Sequence, residues 1–90
     1  RIGTVADMYN IPVAPHVGGG GIISVAATVQ YSASCPNFMI MEHGHFDNRY
    51  KSAILTESFE PTNGFFEVSD KPGLGINVDE DKLKSFAFPV

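Results

Sequence analysis

Ninety residues suffice for one small domain with a modest core. Hydrophobic residues make up 43% and charged residues 18%, and ten acidic against six basic side chains leave a net charge of −4 with the histidines neutral. Six scattered Lys and Arg cannot build the basic surface that binds a phosphate backbone, and no apolar run approaches the ~20 residues that cross a bilayer, so nucleic acid and membrane are excluded as partners.

The chain opens RIGTVADMYN, with Arg1 where an initiator methionine would stand and without the charged, apolar and small-residue series of a secretory signal. A piece of a longer, soluble, cytoplasmic protein is expected. Within Thr4 to Asn10, Val5, Ala6, Met8 and Tyr9 are spaced for the end of a helix, and Asn10 tolerates the left-handed conformation that closes one. Ile11 to Pro15 reads as a short buried strand. Pro12 and Pro15 argue against a central antiparallel position but suit the start and end of a strand. His16 follows, then Val17 and the four glycines Gly18 to Gly21.

From Ile22 to Ser34, Ile22, Val25, Ala26, Val29 and Ala33 recur at helical spacing, predicting a helix whose apolar face is rich in small residues. Cys35-Pro36-Asn37 stops it. Cys35 has no second cysteine to pair with and sits among small and apolar residues, which points to a reduced, buried thiol rather than a nucleophile. Phe38 to Met41 (FMIM) is apolar at every position and ends at Glu42, as suits a strand buried on both faces of a parallel sheet. Helix, strand, helix, strand makes the fold class α/β. The carboxyl ends of such strands carry the chemistry, and His16 and Glu42 lie there.

Further on, Ala53 to Phe59 and Phe65 to Val68 flank Pro61-Thr62-Asn63-Gly64, predicting an antiparallel hairpin with Gly64 at positive φ. Lys71-Pro72-Gly73-Leu74-Gly75 is another turn. Asp79 is placed to cap a short last helix in which Glu80 and Asp81 precede Lys82 and Lys84, the charge order that suits the helix dipole.

By itself, a histidine after an apolar strand is more often a structural hydrogen-bonding residue than a catalyst. The glycines could cradle an anion, yet they match neither GxGxxG nor a lysine-containing phosphate loop, so they read as close backbone approach beside a site. Glu42, His43, His45 and Asp47 have the donor types for Zn²⁺ or Fe²⁺, but Gly44 and Phe46-Asp47-Asn48 argue for a solvated loop, and no metal site is expected in this chain. Asp79-Glu80-Asp81 lacks the alternating ligands of a calcium loop.

Three stretches in series, IPVAPHVGGGGIISVAATVQYSASCPNFMIMEH, the hairpin with NGFFEV, and KPGLGINVDEDKL, resemble the C-terminal part of the mandelate racemase and muconate lactonizing enzyme branch of the enolase superfamily. Within it the chain is most similar to acid-sugar dehydratases of the galactonate dehydratase type. The resemblance runs from about Tyr9 to Leu83. It implies a modified (β/α)7β TIM-like barrel with an α+β capping domain, of which this chain would be roughly the last quarter. Residues 1–52 would then be the end of the barrel, with strands seven and eight and helix seven, and residues 53–90 the hairpin, turn and short helix that pack on the capping domain.

The same resemblance implies a lyase that abstracts a proton α to a carboxylate and expels water from a sugar acid, with Mg²⁺ stabilising the enediolate. His16 matches the strand-seven general acid or base and Glu42 the strand-eight glutamate that meets the substrate or its developing oxyanion, so both are expected to be catalytic and substrate-binding. The metal ligands, the aspartate that orients the histidine and the catalytic lysine would all lie on strands that precede Arg1. Expected partners are therefore the sugar acid, the rest of the same enzyme and further copies in a homo-oligomer. The chain by itself would be inactive. A racemase or cycloisomerase of the same superfamily, and a small non-catalytic interaction domain, remain as alternatives.

Overall fold

The computed structural model describes residues 1–44 and 51–87. Helix α1 spans Ile2–Met8. It ends as its sequence predicts: Asn10 adopts φ 55°, its N–H donates to the Asp7 carbonyl, and the Ile11 N–H reaches back to the Ala6 carbonyl, both at 2.9 Å. This paired closure satisfies two carbonyls that the helix itself leaves open.

The chain then runs extended through residues 11–16 and is joined in parallel by residues 38–42. The Val13 N–H donates to the Asn37 carbonyl and the Met39 N–H to the Val13 carbonyl, both at 2.9 Å, and the Glu42 N–H donates to the Pro15 carbonyl at 3.0 Å. The bridges are Val13 to Phe38 and His16 to Glu42. The two expected strands are thus present as neighbours joined by isolated bridges rather than a continuous ladder: Pro15, which faces the partner, has no N–H to give, and the register shifts by one residue between the two bridges. The expected burial of FMIM on both faces is not observed: Phe38, Met39 and Ile40 are 40%, 64% and 60% exposed. Among the described residues no further layer covers that segment.

Helix α2, Ile22–Ser34, has the predicted limits. Ile22, Val25, Ala26 and Val29 are buried as their spacing demands, while the last buried position belongs to Ser32 rather than Ala33. Val17, Ile22, Val25 and Leu55 form the core, with Met41, Ile54, Phe59, Phe66, Ile76 and Val78 packed around it. Fully burying each such aliphatic side chain is worth about 1.5–3 kcal/mol, so this cluster is what binds the C-terminal part to α2. Gln30 adds a polar tie, its side-chain amide donating to the Ser69 carbonyl at 3.2 Å.

The turn at Thr62-Asn63-Gly64-Phe65 forms as predicted. Thr62 and Phe65 exchange backbone hydrogen bonds at 2.8 and 3.0 Å, with φ 53° at Asn63 and 83° at Gly64, the pair of left-handed residues that a tight two-residue hairpin turn requires. Phe59 and Phe66 stack beside it, ring centroids 5.2 Å apart. The expected partner of Ala53 to Phe59 is corrected. Ser52–Ile54 is a 3₁₀ turn, and Leu55 pairs antiparallel with Val78, not with Phe65 to Val68. The Thr56 N–H donates to the Asn77 carbonyl at 3.0 Å and the Asp79 N–H to the Ile54 carbonyl at 2.8 Å. Leu55 is 4% exposed, and its burial beside α2 selects this pairing. The last helix, α3 (Glu80–Ser85), is capped by Asp79, whose carboxylate accepts from the Asp81 and Lys82 N–H groups at 3.1 Å. Among the described residues no helix is long and apolar enough to cross a membrane.

Candidate active site

The parallel pairing decides where His16 and Glu42 meet. Each residue follows an extended run, and the bridge between them sets their backbones side by side at the carboxyl ends of both segments. From there His16 Nδ1 and Glu42 Oε2 approach to 2.5 Å across 26 residues of sequence. The two residues singled out by the sequence are thus brought into direct contact. Their side chains are 68% and 65% exposed, so water screens the pair and it adds little to the fold. Its chemical effect is larger. When Nδ1–H donates to the carboxylate, the neutral ring carries its lone pair on Nε2, the state of a proton acceptor.

The glycines beside them are unequal. A Cβ on Gly18 would fall 2.6 Å from His16 Nε2 and 2.9 Å from Cε1, and one on Gly20 would fall 2.7 Å from Ser24 Oγ and 3.0 Å from Val17 Cγ1. At Gly19 and Gly21 a Cβ would meet no atom of the described residues within 4 Å. The expected close approach therefore holds at Gly18 and Gly20, with His16 itself as the neighbour of Gly18. Lys51 reaches the same place from downstream, its Nζ donating to the Gly18 carbonyl at 3.4 Å. No spacing in the sequence marks Lys51, because the contact spans 33 residues.

His43, expected in a solvated loop, is instead half-buried, its ring edge against Phe66 with centroids 5.0 Å apart. An apolar ring partner immediately past the turn, Phe66, draws it inward. His45 and Asp47 lie outside the described residues. Among the described residues no group of three or more His, Cys, Asp or Glu is placed to hold a metal ion. Mg²⁺ takes an octahedral, oxygen-rich shell, whereas this site offers one carboxylate already bonded to an imidazole, so the donor set here does not fit that ion. Cys35 is half-buried rather than buried, since it closes α2 at the surface. Its hydrogen bond with Tyr31 raises that phenol above its ordinary 10.0.

Residues 1–82 match the family described as enolase C-terminal domain-like. The chain is 34% identical to the D-galactarolactone cycloisomerase of Agrobacterium fabrum, with 99% of this chain and 25% of that protein covered. It is 33% identical to the D-xylonate dehydratase of Haloferax volcanii, over 94% of this chain and 20% of that protein. A crystal structure from Burkholderia SAR-1, classed as a mandelate racemase/muconate lactonizing enzyme, superposes with a TM-score of 0.86 at 29% identity, covering 96% of this chain and 21% of that one. The chain thus spans 20–25% of the length of the curated relatives named. The family match over residues 1–82 and these relatives agree: the chain belongs to the enolase C-terminal domain-like family, as a segment of the mandelate racemase and muconate lactonizing enzyme type.

Proposed function

We propose that this chain is the C-terminal segment of an acid-sugar dehydratase of the enolase superfamily, and that His16 and Glu42 belong to its active site. The observation that carries the reading is the 2.5 Å contact of His16 Nδ1 with Glu42 Oε2 at the carboxyl ends of two parallel segments. A neutral imidazole held at Nδ1 presents a proton acceptor at Nε2. It can take the proton α to a carboxylate, leaving the electron pair on carbon, or, once charged, return a proton to the hydroxide that departs from the next carbon. Glu42 meets Nδ1 with one oxygen in this segment and has a second for a substrate hydroxyl or, when it carries a proton, for the oxygen on which charge develops, while the aspartate that the resemblance implies for orienting the ring belongs to sequence outside this chain.

The family resemblance implies Mg²⁺, and its ligands are assigned to sequence outside this chain because the donors here do not suit it. No step at His16 or Glu42 is routed through the ion. Homo-oligomerisation and inactivity of the isolated chain belong to the same proposal.

A second reading, cycloisomerase, draws on the Agrobacterium relative. It shares the first proton transfer and differs in keeping every atom of the substrate. Mass spectrometry of the product formed by the complete polypeptide from D-xylonate and from D-galactarolactone separates the two, since dehydration loses one water and cycloisomerisation loses none. In that polypeptide His16→Asn is expected to lower turnover by about 10²–10⁴-fold, the ordinary contribution of a general acid or base. Wild-type turnover by His16→Asn would remove His16 from the site.

A further inference from the structure

We infer that Lys51 is a positioning residue for the glycine loop that follows His16: its ammonium, reaching back from beyond the second extended segment, pins the Gly18 carbonyl and so fixes the backbone that leads from His16 into α2. The inference rests on the proposed role of His16 and names what holds the backbone beside it, whichever way the ring turns.

Gly18 to Gly21 have no side chains with which to anchor themselves, and glycine backbone gains the most freedom when released. The two ends of the loop are fixed. Val17 is 8% exposed within the core cluster, and the Gly21 carbonyl accepts from the Val25 N–H at 3.1 Å as α2 begins. Between those ends the loop holds itself loosely: its internal bond, the Gly20 N–H to the Val17 carbonyl, is 3.4 Å long, and a Cβ at Gly19 would meet no atom of the described residues within 4 Å. At Gly18 a second segment takes hold, since Lys51 Nζ donates to its carbonyl at 3.4 Å across 33 residues. That segment is itself packed beside the loop. Lys51 is half-buried and precedes the Ser52–Ile54 turn, and Leu55, just past the turn and 4% exposed, shares the core cluster with Val17. Apolar packing of Leu55 on Val17 therefore brings Lys51 to the loop, and a hydrogen bond from a charged donor, stronger than one from a neutral group, turns that proximity into a held carbonyl.

The test compares Lys51→Met, which keeps the apolar stem and removes the donor, with Lys51→Arg, which keeps a charged donor, and with Lys71→Met, which removes one positive charge at Glu57 instead. In the complete polypeptide labelled on glycine, the readouts are the Gly18 carbonyl ¹³C signal, the amide order parameters of Gly19 to Gly21, and turnover of whichever of D-xylonate and D-galactarolactone the wild type accepts. Lys51→Met is expected to shift the Gly18 signal and to lower the order parameters from about 0.85 to below about 0.6, with cooperative melting retained. Lys51→Arg and Lys71→Met should keep wild-type loop order. In Lys51→Met kcat should fall by roughly 10–10²-fold with a smaller change in KM, the scale of a catalytic group displaced by about 1 Å, and Lys51→Arg should recover most of it. Wild-type loop order in Lys51→Met, an equal loss of order in Lys71→Met, or order lost with kcat unaltered would each overturn the inference. So would a fall in kcat with the loop still ordered, since Lys51 would then act on the substrate directly, and so would loss of cooperative melting, which would make Lys51 a residue of the fold. If the wild-type protein turns over neither acid-sugar probe, the proposed function fails while the loop signals still decide whether Lys51 pins Gly18.

Discussion

A side-chain contact as exposed as that of His16 with Glu42 is screened by water and adds little to stability, so removing it should be nearly silent in a melting experiment. Glu42→Gln makes that separation measurable. The amide keeps the shape and can still meet His16, but it holds no transferable proton and no charge. In the complete enzyme kcat is expected to fall by about 10²–10³-fold with a smaller change in KM, the mark of an interaction that strengthens in the transition state. An unaltered kcat would leave Glu42 a structural residue only. Both members of the pair were legible in the sequence because each ends an apolar run, and strand ends are where polar side chains can reach a shared opening. Gly18 was not. Four identical residues in a row carry no pattern, and which of them lacks room depends on the rotamer of His16, a property of the fold rather than of spacing.

Helix α3 comprises six residues, far below the ~12–15 that make an isolated helix even marginal, so it stands on its ends. Asp79 holds the first turn, and Lys82 ties the helix to the core segment, its Nζ donating to the Leu55 carbonyl at 2.9 Å. The Lys82 backbone N–H, foremost, and the Lys82 charge hold the Asp79 carboxyl below its ordinary 3.8. Since the folded value lies below the unfolded one, the contribution of Asp79 is complete above pH 3.8 and is lost as the pH falls through the depressed folded value. Amide exchange at Leu83 and Phe86 should accordingly lose protection on acidification below that point. Asp79→Ala should show the unprotected rate at neutral pH, and a variant with wild-type protection would show that the cap does not hold α3. This cap was visible in advance because capping is local chemistry, as were the limits of α2 and the Asn63-Gly64 turn. The partner of Leu55 was not, because the run Ala53 to Phe59 offers the same apolar residues to either side, and only burial against Ile22 and Val25 chooses Val78.

The molecule taken whole is more drawn out than its length requires. Its radius of gyration is 14.7 Å, against about 12 Å for a compact domain of ninety residues. The cause is visible in what the core leaves uncovered. Val29, Ser32, Phe38, Met39, Ile40 and Phe65 line an open apolar cavity of about 800 Å³, and the Ser32 hydroxyl has no hydrogen-bond partner among the described residues. Beyond it Ile2, Met8 and Tyr9 are 82%, 75% and 72% exposed on α1. Exposed apolar side chains in this number drive association in water. The isolated ninety-residue chain is therefore expected to bind the dye ANS strongly and to self-associate as its concentration rises, whereas the complete polypeptide should do neither. Replacing Ile40, 60% exposed, by Lys should weaken dye binding by the isolated chain without lowering its helix content, since Ile40 contributes nothing to the buried cluster. A monodisperse isolated chain that ignores the dye would mean that these side chains find cover within the segment, and the proposal that they await the rest of a barrel would fall with it.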